Sequence, residues 1–98
     1  MSTAKNSWSS SFSGDQMSYG RLGALEYYVE ALYSDERGRN HILTGWQISR
    51  DVVGRNAKGY QPTVTREFVM NVDRNLVEDV SAVRSMVEVM YAMAGYNE

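Results

Sequence analysis

The spacing of apolar residues in the C-terminal segment is the feature that most limits the folds open to this chain. Apolar residues recur there at intervals of three and four, at Leu76, Val80, Val83, Val87, Met90 and Ala94. This is the heptad pattern of a long amphipathic helix. At about 100° per residue, Val77, Met86, Tyr91 and Met93 widen this apolar stripe to an arc of about 200°, twice what packing on one small domain needs. We therefore expect the excess to form a homo-oligomer interface, with Leu76, Val80, Val83, Val87, Met90 and Met93 as its candidate residues.

Two more helices are predicted upstream. Ser13 begins a capping-box pattern, and apolar residues then follow at helical spacing, at Leu22, Leu25, Val29 and Leu32. Gly38 is a natural stop for this helix. A second helix is predicted over Asn40–Val53, with a strand over residues 41–48 as its alternative. Residues 54–62 hold two glycines and the only proline, which predicts a loop.

These segments together predict an all-α fold, a small three-helix domain with a long C-terminal helix. Residues 1–13 are expected to be a Ser-rich N-terminal tail, and residues 14–98 a single helical domain. The alternative is an α+β fold with a short two-stranded element in residues 41–72. It is favoured by a strand-like alternation at Val64, Arg66, Phe68, Met70 and Val72.

The N-terminal tail is of low complexity. Six of its thirteen residues are serine, and such a segment buries too little apolar area to offset its ordering entropy. Trp8 and Phe12 are its two large apolar side chains. They are therefore the candidates for docking the tail onto the domain or onto a neighbour.

Charge is distributed unevenly along the chain. Residues 1–36 carry a net charge of −3, residues 37–66 a net charge of +5, and residues 67–98 a net charge of −4. The basic middle either pairs with the acidic flanks or forms an anion-binding surface for nucleic acid or a nucleotide. The candidate residues for a partner or an anion are Arg37, Arg39, Arg50, Arg55, Lys58, Tyr60 and Arg66.

Several classes of protein are excluded by composition. The 98 residues include no cysteine, which excludes disulfide scaffolds and thiolate metal sites. A single histidine, His41, leaves little material for a metal site or a Ser/His relay. The longest apolar run has six residues, against the roughly twenty of a membrane helix. No catalytic or nucleotide-binding motif is present. We therefore expect no enzyme activity, no metal or other cofactor, and no membrane contact.

What remains is a small binding protein. We expect a non-enzymatic protein-binding module that self-associates through its C-terminal helix, either as a structural component of an assembly or as an inhibitor of a host protein. The alternative is a nucleic-acid or nucleotide-binding accessory protein using residues 37–66. In its size, serine-rich start and lack of catalytic motifs the chain resembles small accessory proteins of bacteriophages or mobile elements. That resemblance implies a place in the host cytoplasm or in the virion.

Overall fold

The computed structural model describes residues 5–21, 23–34, 42–55 and 62–95. Within them one antiparallel sheet of five strands, in sequential order, is followed by one α-helix. The elements are β1 (Ser7–Ser10), β2 (Gln16–Gly20), β3 (Glu26–Tyr33), β4 (Leu43–Arg55), β5 (Pro62–Asp73), a 3₁₀ turn (Arg74–Leu76) and α1 (Val80–Met93). The prediction of an all-α helical bundle is therefore wrong. The α+β alternative places β4 and β5 correctly as a pair, but they are only two of the five strands.

The first predicted helix is replaced by β2 and β3. In β3, Tyr27 and Val29 are buried and Ala31 is half-buried, while Glu30 between them is exposed. Tyrosine and valine fit the half-covered surface of a sheet. Val29 belongs to both the helical spacing and this alternation, so the local pattern is ambiguous, and pairing with β2 and β4 selects the strand. Ser13 lies in the turn between β1 and β2, beside Gly14 with a φ of +79°.

The second predicted helix is also wrong, because β4 occupies that part of the chain. The strand alternative for residues 41–48 agrees with the start of β4 at Leu43. His41 lies outside the described residues, as do residues 56–61 of the predicted loop. The alternation seen in residues 64–72 is that of β5.

The predicted C-terminal helix exists but is shorter than the heptad pattern. It starts at Val80, where Asp79 caps it by accepting a hydrogen bond from the Ser81 amide at 2.8 Å. It stops before Gly95, whose φ of +84° suits a helix C-terminus. Leu76 lies in the preceding 3₁₀ turn and not in the helix. No helix in the described part of the chain is long and apolar enough to cross a membrane.

The core lies between α1 and one face of the sheet. Its eight buried hydrophobic residues come from three strands and the helix: Tyr27, Val29, Trp46, Ile48, Val72, Val83, Val87 and Tyr91. The Tyr91 hydroxyl donates a hydrogen bond to the Leu25 carbonyl at 2.8 Å, which satisfies its polar end. The sheet therefore supplies the surface that the wide apolar arc of the helix requires.

Trp8 anchors β1 to the helix. Its indole N–H donates a hydrogen bond to Glu88 Oε2 at 2.8 Å, and its ring centre lies 5.0 Å from that of Tyr19. The Arg84 guanidinium carbon lies 4.8 Å from the Trp8 ring centre, a cation–π contact. Phe12, by contrast, is fully exposed in the turn that follows β1. Part of the serine-rich segment is therefore a strand of the sheet, and Trp8 is the residue that docks it.

We expect the Trp8→Phe variant to lower the free energy of unfolding by about 0.5–1 kcal/mol. Phenylalanine keeps the ring contact with Tyr19 but removes the donor to Glu88. Urea denaturation measures the change. The control is Phe12→Ala, which should leave stability unchanged because the Phe12 side chain is exposed. Equal shifts in the two variants would contradict the anchoring role of Trp8.

Candidate functional site

The face of the sheet turned away from α1, which we call the open face, has no described element packed over it. Side chains alternate between the two faces of a strand, so the residues next to the core positions point here. Two cross-strand rows traverse it in register. The first row is Ser9, Ser18, Tyr28, Ser49 and Phe68, and the second is Gln16, Glu30, Gln47 and Asn71.

Four residues of the first row, Ser9, Ser18, Tyr28 and Ser49, line a groove of about 270 Å³. The groove is lined chiefly by hydroxyl groups, with one aromatic ring and one guanidinium at its centre. The residues that give it this chemistry are Ser9, Ser18, Tyr28, Glu30, Ser49 and Arg66. Its surface therefore offers hydrogen-bond donors and acceptors together with apolar area from Met17 and Val29.

Two residues that line the groove, Tyr28 and Arg66, contact each other, and Tyr28 also contacts the buried Asp51. The Tyr28 hydroxyl donates a hydrogen bond to Asp51 Oδ2 at 2.8 Å, and the Glu26 amide donates to the same oxygen at 3.2 Å. The Arg66 guanidinium carbon lies 3.6 Å from the centre of the Tyr28 ring. Asp51 is 8% exposed, and it is the one buried charged residue in the described part of the chain. A tyrosine ring and a guanidinium thus lie in contact on the open face.

Burial raises the pKa of the Tyr28 hydroxyl above its ordinary value. The hydrogen bond to Asp51 raises this pKa further, and the nearby Arg66 guanidinium lowers it in part. The pKa of Tyr33 is raised by its hydrogen bond to Asp15, and the pKa of Tyr91 is raised by burial. All three phenols therefore stay protonated to higher pH in the folded chain than in the unfolded chain.

This direction fixes the pH dependence of stability. Because the folded chain keeps protons that the unfolded chain releases, the free energy of unfolding should fall as pH rises above about 10, toward the folded-state pKa values. We expect Tyr28→Phe to make this fall less steep, since one of the shifted groups is removed. Urea denaturation across that range measures the slope. The readout is the slope alone, because losing the bond to Asp51 also lowers stability at neutral pH. An unchanged slope would contradict the assignment.

The described members of the basic middle do not form one patch. Arg50 lies opposite Tyr27 on the α1 side of the sheet and is ion-paired with Glu67 at 2.8 Å. Arg66 lies on the open face over Tyr28. The other candidates, Arg37, Arg39, Lys58, Tyr60 and the side chain of Arg55, lie outside the described residues. Where the structure describes it, the basic middle therefore has partners within the same chain.

The six candidate interface residues of the C-terminal segment are divided by the fold. Val83 and Val87 are fully buried against the sheet of their own chain. Val80 and Met90 are half-buried at the same contact. Leu76 and Met93 are exposed, with 78% and 82% of their surface accessible. The heptad pattern is thus mostly an intramolecular contact.

The residues at the centre of the open face were not singled out from sequence, apart from Arg66. Tyr28, Ser49 and Asp51 come from neighbouring strands and become adjacent only through pairing. The available signal was the alternation in β3, where buried Tyr27 and Val29 flank Tyr28. An alternation of period two indicates a strand with one buried face, so it predicts that Tyr28 lies on the face opposite the core residues. The described residues include no group of three or more histidine, cysteine, aspartate or glutamate side chains placed to hold a metal ion.

Comparison with models of known protein families, with curated proteins and with solved structures gives no match to this chain. What the open face can bind therefore follows from its own chemistry and shape.

Proposed function

We propose that this chain is a non-enzymatic protein-binding module and that the open face is its binding surface. The observation that carries the proposal is a sheet with one face covered by α1 and the other face uncovered across all five strands of the described chain. Tyrosine and arginine dominate interface energetics when they are held in place. Tyr28 and Arg66 are held in place here by stacking and by the bond to Asp51.

The size of the open face supports a macromolecular partner. The five strands are spaced about 4.8 Å apart, and a strand of eight residues rises about 3.3 Å per residue. The sheet therefore has a projected area of about 500 Å². Side-chain relief increases this area toward the roughly 800 Å² that one partner contributes to a standard protein interface. Hydroxyl and amide groups in the two rows complement the polar groups of another polypeptide.

The charge of the open face supports a protein over a nucleic acid. Glu30 and Asp51 outweigh Arg66 there, so phosphate groups are not attracted. Arg50, which would add positive charge, is on the other side of the sheet and paired with Glu67. No contact of the described residues favours nucleic-acid binding by residues 37–66.

A matched pair of double variants tests the proposal. Ser18→Arg with Ser49→Arg places two long side chains in the groove, whereas Ser81→Arg with Ser85→Arg places them on the exposed side of α1. The immobilised wild-type chain is used to capture partners from an extract of the native host. We expect the groove variant to lose the captured protein and the helix variant to retain it, both at wild-type melting temperature. Equal capture by both variants would overturn the proposal.

Self-association through the C-terminal helix is a second part of the proposal, limited to residues that the sheet leaves exposed. Met93 at the end of α1 meets this condition, as does Leu76 in the preceding 3₁₀ turn. We expect a concentration-dependent dimer in sedimentation experiments at tens of micromolar, and Met93→Lys should shift it to monomer. Ser85→Lys, also exposed on α1, is the control and should leave the dimer intact. A strict monomer at these concentrations removes self-association from the proposal.

A further inference from the structure

The outer edge of β5 has unpaired backbone groups. Within the described residues β5 pairs only with β4, so alternate residues along its 12-residue length direct N–H and C=O groups outward. The opposite edge of the sheet is β1, with only four residues. Natural sheets keep exposed edges short or cover them, because an open edge is a template for another strand.

The usable part of this edge is defined by the pairing register. Ile48 pairs with Met70 and Ser49 pairs with Phe68, so Val69 is the extra residue of a β-bulge. Pro62, at the other end, has no N–H to donate. The regular edge is therefore residues 63–68, and every one of these six residues is exposed.

Four of these six edge residues, 63–66, belong to a two-stranded arm. The described pairing of β3 with β4 ends at Arg50, whereas β4 and β5 stay paired to the end of β4 at Arg55. A ribbon of two strands is only marginally stable in water, and a third strand stabilises it. The free side of β4 in the arm offers residues 52–55, which is shorter than the six-residue edge of β5.

Side chains at the edge specify what a third strand must carry. On the open face Val64 and Phe68 are 60% and 55% exposed, and Arg66 lies between them. Residues directly opposite each other in antiparallel strands share a face and interact, with apolar and opposite-charge pairs favourable. The complementary strand therefore has apolar, acidic and apolar residues at alternate positions, and Arg66 exchanges its contact with the Tyr28 ring for an ion pair with the acid.

A second copy of this chain does not supply this pattern in the register that joins the two apolar residues. In antiparallel self-pairing, the register that sets Val64 against the Phe68 of another copy also sets Arg66 against the Arg66 of that copy. Like charges in direct opposition are destabilising. An acid in a different polypeptide removes this conflict.

We propose that residues 63–68 of β5 bind an extended strand of a protein partner in antiparallel orientation, with the pattern apolar–x–acidic–x–apolar. The inference rests on the proposed function in that the partner is a protein. The added strand would extend the open face, because Phe68 ends the first row and Arg66 lines the groove. Backbone hydrogen bonds provide the affinity, and the alternate side chains provide the specificity.

The test uses a fluorescent peptide, Thr-Ile-Thr-Asp-Thr-Ile-Thr, and a second peptide with lysine in place of aspartate. Fluorescence anisotropy with the full chain should give saturable binding of the aspartate peptide and about fivefold weaker binding of the lysine peptide. Arg66→Glu should reverse this preference. N-methylation of alternate peptide amides should abolish binding, since it removes the backbone donors. Absence of saturable binding to the wild-type chain, or a preference unchanged by Arg66→Glu, would overturn the proposal.

Two further measurements keep the result unambiguous. The Arg66→Glu variant also loses the stacking on Tyr28, so its peptide preference alone does not locate the binding site. Amide hydrogen exchange of the wild-type chain with the aspartate peptide should show protection at residues 63–68. Protection elsewhere overturns the proposal.

A dimer of this chain is a separate outcome. If Val64→Asp disrupts the dimer and Met93→Lys leaves it intact, the edge binds a second copy and the proposal is overturned. If the groove variant loses the captured partner while Val64→Asp retains it, the edge proposal fails and the proposed function stands. If both variants retain the partner, both proposals fail.

Discussion

Replacement of Val83 by aspartate should leave most of the chain unfolded at room temperature. Val83 is fully buried in the cluster that joins α1 to the sheet. An unpaired carboxylate in an apolar core costs several kcal/mol, and a domain of this size has about 5–10 kcal/mol of stability in total. Circular dichroism and thermal unfolding measure the effect, as loss of the sheet and helix signals and of the cooperative transition.

The control for this variant is Ser85→Asp. Ser85 is exposed on the same helix, two residues further along. The Ser85→Asp variant introduces the same carboxylate on the surface of the helix. Its melting temperature should therefore stay close to that of the wild type. A Val83→Asp variant as stable as Ser85→Asp would contradict the packing of α1 on the sheet.

Gly45→Ala should lower the free energy of unfolding by about 1–3 kcal/mol, in the range of an overpacked core. A methyl group at Gly45 would overlap the carbonyl oxygen of Val72 on the paired strand. Relief requires β4 and β5 to move apart beside the core residues Trp46 and Val72. Backbone strain is not the cause, because Gly45 is not among the described glycines with positive φ.

Gly54→Ala is the matched control for Gly45→Ala. Gly54 lies in the same strand, also without a positive φ, and its added methyl group would meet only Thr63 Oγ1, at an ordinary 3.7 Å. Urea denaturation should therefore give a stability close to that of the wild type for Gly54→Ala. Equal losses in the two variants would show that the cost comes from placing alanine in β4 and not from the close approach of β5.

Part of the fold can be predicted from local sequence. The spacing of Val80, Val83 and Val87 predicts α1 and its inward side, because a helix is closed by hydrogen bonds between near neighbours. The alternation in residues 64–72, which favours the α+β alternative, is that of β5. Both patterns depend only on residues close together in the chain.

The segment from Ser13 to Gly38 shows where local patterns fail. Leu25, Val29 and Leu32 satisfy a helical spacing, while Tyr27, Val29 and Ala31 satisfy a strand. The helical and extended conformations of this segment differ in intrinsic free energy by less than tertiary packing contributes. Packing therefore routinely overrides intrinsic propensity. The hydrogen bonds of β3 with β2 and β4 select the strand conformation. The residues of β4 lie too far along the sequence to appear in a local pattern.

Local spacing indicates one helix, its inward face and the alternation of one strand, since those depend on neighbours three, four or two residues away. The tertiary structure places a sheet over most of the apolar arc of α1 and leaves Met93 exposed. It alone brought Tyr28, Asp51 and Arg66, which lie on three different strands, together on the open face. The physical reason is that the backbone hydrogen bonds of a sheet join residues distant in the chain, so side chains become neighbours by strand register and not by spacing along the sequence.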